Sequence, residues 1–151
     1  MNAETTSDTY PAPDTDAAMI LGMAATAMPF ARSREDQAER WLRILRLHGE
    51  AGAALQALGV SEGPLESAHH GEDAEHAARA SAIAPDVIAK VNGAAMALAS
   101  ERGAHALATT DVLLAVMRVY GSDFDRVLQA HGTDRDEVLE RLGERASSPR
   151  R

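Results

Sequence analysis

The sequence predicts an all-α protein, about eight helices arranged as two tandem four-helix repeats related by pseudo-twofold symmetry. Three observations carry that expectation. Apolar residues recur at the helical period through nearly all of 16–145. Hydrophobic residues make up 45% of the chain and aromatic ones only 3%, with much of the difference taken by Ala. Ala is the strongest helix former but buries little area, so the interior must come from close helix packing around Leu, Ile, Val and Met. Finally, "LQALGV" at 55–60 returns as "LQAHGT" at 128–133, and the residues around both copies match as well.

Residues 1–15, rich in Thr, Asp and Pro, read as a mobile tail. The apolar run 17–31 is too short to span a bilayer and follows a segment with no Lys or Arg, so it reads as a first helix rather than a targeting signal. Its "MAATAM" places small residues at helix-packing intervals, and Pro29 ends it. The next helix carries Trp41 and its stripe to Gly49. Glu35, Asp36 and Glu39 stand at i,i+4-type spacing from Arg40, Arg43 and Arg46, an ordinary exposed face. Trp41, at the start of that stripe, reads as core. Ala51, Ala54, Leu55 and Leu58 form a third inner face, Gly59 stops it, and Ser61 caps a fourth helix, completing a repeat over 16–66.

Residues 67–84 are expected to join the halves. Their "HHGEDAEH" offers His69, His70 and His76 among acids, but with no Cys and no H-E-x-x-H spacing it reads as solvated linker rather than a metal site. The second repeat, 85–145, opens with Pro85 in a helix first turn, followed by Val87, Ile88, Val91, Ala95 and Leu98 until Gly103. Thr109 is the expected N-cap of the next helix, with Asp111 in its first turn and Val112, Leu113, Val116, Met117 and Tyr120 inside. After Gly121, Ser122 is expected to cap a short helix facing inward through Phe124, Val127, Leu128 and His131. His131, at a helix end, is expected to bond backbone. After Gly132, Asp134 caps a last helix with Val138, Leu139 and Leu142 inside, and 146–151 form a second tail.

The halves align in detail. "WLRILRLHG" (41–49) lies on "LLAVMRVYG" (113–121) without a gap. One residue is then added in the second copy, after which Ala51, Ala54, Leu55 and Leu58 fall on Phe124, Val127, Leu128 and His131. The first helices correspond through Ile20-x-Gly22-x-Ala24 and Val91-x-Gly93-x-Ala95.

A net charge of −8 argues against nucleic acid and favours a basic peptide or cationic ligand. The absence of Cys excludes disulfides and thiolate metal sites. No Ser/His/Asp arrangement, paired-carboxylate motif or G-x-x-x-x-G-K-[ST] phosphate loop stands out, so the expectation is a soluble, cytoplasmic protein that is not an enzyme and uses no cofactor or metal.

In "RGAHALATTDVLLAVMRVYGSDFDRVLQAHGT" (102–133), Gly103, Thr109, Leu113, Leu114, Arg118, Arg126, Val127, Leu128 and Gly132 fall on a signature. With this text and its repeat, the chain resembles the N-terminal domain of Clp-type AAA+ unfoldases. That domain is two four-helix repeats related by a pseudo-twofold axis, and it docks substrates and adaptors. The resemblance implies peptide or protein binding in a groove between the repeats, at Gln37, Ala38 and Glu39 in one and Thr109, Thr110 and Asp111 in the other. It also implies partners among Clp unfoldase and protease components, their substrates or adaptors. The phosphoarginine-binding relatives have a Glu where Thr110 and Ala38 stand here. The acids one place later, Asp111 and Glu39, are turned by about 100° and need not face the same pocket, so phosphoarginine binding does not follow from the resemblance. With no ATPase module, the expectation is a docking domain without the motor. A rival follows from the same resemblance: a decoy for cyclic-peptide antibiotics that target unfoldase N-domains. A third is a module that merely oligomerises.

Overall fold

The computed structural model describes residues 11–60 and 73–147, with side chains over 11–60 and 87–143. Among these residues it is mostly helical. Strand β1 (Ala12–Pro13) leads into α1 (Thr15–Ala27) and a 3-10 turn (Met28–Phe30). Helices α2 (Arg34–Leu45) and α3 (Gly49–Ala57) follow in the described part of the first half. Helix α4 (Asp73–Glu101), strand β2 (Ala106–Leu107), α5 (Thr109–Tyr120), α6 (Ser122–Ala130) and α7 (Arg135–Ser147) form the second. No helix among the described residues is long and apolar enough to cross a membrane.

The helix boundaries follow local chemistry. Asp14 caps α1 by accepting from the Ala17 N–H at 2.8 Å, and Ser33 caps α2 by accepting from Asp36. Asp134 caps α7 through the Glu137 N–H. The stops expected at Gly49, Gly59, Gly103, Gly121 and Gly132 all adopt positive φ. The sequence-derived stripes then meet in one core, where Ile20, Met28, Trp41, Leu42, Leu45 and Leu55 from the first half touch Leu107, Leu113, Met117, Phe124 and Leu128 from the second. Each such side chain contributes about 1.5–3 kcal/mol on burial. Packing is reciprocal between the halves: α2 lies on α6, and α5 lies on α3, while α4 packs along α5 and the 3-10 turn.

Several details depart from expectation. The structure is not purely helical, because β1 and β2 pair in parallel, Ala12 with Ala106 and Pro13 with Leu107. That strand and the start of α1 at Thr15 fall within the segment read as a tail, and α7 runs past 145 to Ser147. Helix α4 begins at Asp73 rather than Pro85, so the described part of the joining segment is helical and Pro85 lies inside a helix. The Ala-rich run 77–84 sustains the helix upstream of Pro85. Ser61, the fourth helix it was to cap, and His69 and His70 lie outside the described residues, and the His76 side chain is likewise undescribed. Leu139 is 42% exposed, because Val138 alone turns fully inward in its stripe.

Candidate functional site

The starts of α1, α3 and α5 converge on an open cleft of about 520 Å³ lined by Asp14, Asp16, Gly49, Glu50, Ala108 and Thr109. The first four come from the first half of the chain and the last two from the second. Asp16 and Glu50 sit in helix first turns, where the helix dipole favours a carboxylate, and Asp14 is itself the cap of α1. The walls are joined by backbone: the Asp14 N–H donates to the Leu107 carbonyl at 2.9 Å.

Thr109 ties the far wall to α3. Its Oγ1 accepts the Ala51 N–H at 3.1 Å, which supplies α3 with the cap that its own His48 does not give. It reaches that position because Gly49 lacks a Cβ. Thr109 is therefore the first residue of α5 rather than its N-cap, a place taken by Ala108. Just beneath, Asp111 is 1% exposed. It accepts from the Ala108 N–H at 2.9 Å and from both Nε and Nη2 of Arg102. The hydrogen bond to Asp111, opposed by desolvation and helped by the charges of Asp111 and Glu50, holds the Arg102 guanidinium above its ordinary pKa. Asp111 is thereby paired with Arg102 inside the fold, while Asp14, Asp16 and Glu50 are the carboxylates that line the cleft.

The other predicted triplet serves a different junction. Gln37 is buried where α2 meets the end of α5, and its Oε1 accepts from the Tyr120 O–H at 2.9 Å. The Tyr120 oxygen in turn accepts from Trp41 Nε1 at 3.1 Å. Burial pushes the Tyr120 phenol up to about 12, against the hydrogen bond from Trp41 and the charge of Arg34. Arg34 lies 4.9 Å from the ring centroid. Ala38 is fully buried. Glu39 accepts from Arg43 at 3.0 Å and meets His131 Nε2 at 3.1 Å, so His131 bonds a carboxylate rather than backbone. The acidic-basic face of α2 is accordingly half-buried over Asp36–Arg46 rather than exposed, and Arg46 donates to the Val60 carbonyl.

Of the six residues expected at the site, only Thr109 lines the cleft; Gln37, Ala38 and Asp111 are consumed by packing, and Glu39 and Thr110 are half-buried. Asp14, Asp16 and Glu50 were missed. The signals for them were present, as an acid before the first stripe, another in its first turn, and one directly after Gly49. No group of three or more His, Asp or Glu among the described residues is arranged to hold a metal ion. Comparison of the chain with protein-family models, curated proteins and solved structures returns no match.

Proposed function

We propose that this chain is a non-catalytic peptide- and protein-binding module of the Clp N-domain type, which modulates Clp proteolysis by docking polypeptide in the cleft between its two halves. The observation that carries the reading is the cleft itself: open, contributed by both halves, and bordered by three carboxylates with Arg102 already committed to Asp111. Such a surface suits an extended basic segment of a substrate or adaptor. The reciprocal packing of α2 on α6 and α5 on α3 supports the two-repeat interpretation. The aligned segments 41–49 and 113–121 make α2 the counterpart of α5, and a twofold axis that places α2 on α6 must also place α5 on α3.

The test is a titration with an arginine-rich and a glutamate-rich peptide of equal length. The basic peptide is expected to bind and to weaken with salt. Asp16→Asn and Glu50→Gln should each reduce affinity roughly two- to fivefold, the range of exposed ion pairs. Added to a Clp protease degrading an unfolded substrate, the protein should change the rate. Tight capture of a cyclic peptide, with neither of those effects, would replace the docking reading with the decoy; no binding of any kind would sink both.

A further inference from the structure

The segment leading into the cleft is held in an unusual way. From Ala12 to Asp16 every side chain is exposed, and Pro11 before them is the one buried residue of the approach. Beyond the burial of Pro11 and the Asp14 cap on α1, what fastens this stretch is backbone: the register of Ala12 with Ala106 and Pro13 with Leu107, and the Asp14 N–H on the Leu107 carbonyl. Pro13 brings no N–H to the ladder. Underneath, Leu107 is fully buried and belongs to the core, so β2 is anchored while β1 is not. A segment with few buried apolar contacts and solvent-accessible backbone bonds opens at low free energy while the rest of the fold stays closed.

We infer that Pro11–Asp14 is a detachable strap, and that its seating on β2 regulates the cleft. The strap carries Asp14 and holds the first turn of α1, including Asp16, in place. Asp14, one of the three carboxylates that border the cleft, therefore moves with it, and the first turn that carries Asp16 loses its cap. Seated, the strap completes an acidic site; released, it withdraws Asp14 and leaves Asp16, in an uncapped turn, and Glu50. This inference rests on the cleft reading for its consequence. Binding of a cation then favours the seated state, and seating raises affinity by the same factor, since the two equilibria are linked.

Hydrogen exchange on the unmodified protein tests the release without any ligand. After correction for intrinsic rates, the Asp14 amide should exchange at least tenfold faster than those of Ala24 in α1 and Met117 in α5. Equal protection would overturn the inference, because the strap would then open only with the whole molecule. A second arm uses the register pair Ala12→Cys with Ala106→Cys, clean because the chain has no Cys of its own. Oxidised, this variant should slow Asp14 exchange at least tenfold more than it slows Met117, whose protection rises only with the global stability a crosslink adds, and should bind the arginine-rich peptide severalfold more tightly than when reduced. Peptide bound equally in both states would refute the coupling while leaving the cleft intact. Peptide bound in neither state would instead refute the cleft, and with it the regulatory consequence, while the exchange data still decide whether the strap opens.

Discussion

At Gly49 the backbone adopts φ +67°, and a Cβ built there would meet Thr109 Oγ1 at 2.5 Å. Two independent penalties therefore fall on one position, a left-handed conformation and a clash with a buried side chain. Gly49→Ala should lower stability by about 2–4 kcal/mol, read as a shift of the urea midpoint. Thr109→Val keeps the shape but removes the acceptor of the Ala51 N–H, and should lose about 1–2 kcal/mol, whereas Thr109→Ser should retain most of it. Tyr120 joins Trp41 to Gln37, and Tyr120→Phe strands both partners in the core at about 1–3 kcal/mol. Its titration gives a signed prediction. The fold retains the neutral phenol, whose pKa is raised from 10.0 to about 12. The stability this contributes is complete below the unfolded value and lost as pH rises through the folded one. The unfolding midpoint should thus fall between those two pH values, and Tyr120→Phe should flatten that slope. These polar residues could be located in the sequence, since Gln37 and Thr109 occupy equivalent places in the aligned halves. Their partners could not, because each bonds a residue far along the chain and no local period encodes that.

Elements differ in how fully their own residues specify them. Helix α5 was legible from stripe to stop, with Val112, Leu113, Val116, Met117 and Tyr120 all buried as the period required. Helix α1 shows how an element can hold a residue that weakens it. Gly22 sits in its middle, exposed, with nothing within 4 Å of where a Cβ would stand. Gly22→Ala should therefore raise stability by about 1 kcal/mol through helix propensity alone, opposite in sign to the same change at Gly49. A fall in midpoint would mean that some close approach requires the glycine. The α6 start was misassigned to a Ser122 cap because Gly121, at φ 56°, swings the chain directly from α5 into α6 without a side-chain cap. The β1–β2 pair was not legible at all. Two residues are too few to display a strand period, and the pairing joins the beginning of one half to the middle of the other. Of the cleft expected between the halves only Thr109 was legible, for the same reason, since its lining gathers three separate helix starts.

At the scale of the molecule, the reciprocal contacts have a consequence for folding. Helix α2 buries Trp41 and Gln37 against Tyr120, and α3 takes its cap from Thr109, so each half supplies polar partners that the other needs. A half standing alone would expose Leu42, Leu45 and Leu55, or Leu113, Met117 and Leu128, and would leave those donors and acceptors without protein partners. Neither half should then persist once the other unfolds, and the described core should melt as one unit despite its repetitive text. Trp41 is the chain's one tryptophan and sits fully buried at the junction, so its emission reports the meeting of the halves, while far-UV circular dichroism reports helix throughout. In a urea titration the two signals should trace a single coincident transition. Tyr120→Phe, which weakens the junction and not the helices, should move both midpoints together. If circular dichroism instead retained a second transition after Trp41 was fully exposed, one half would be stable alone, and the cleft between them would be a docking of two independent bundles rather than a site built into one fold.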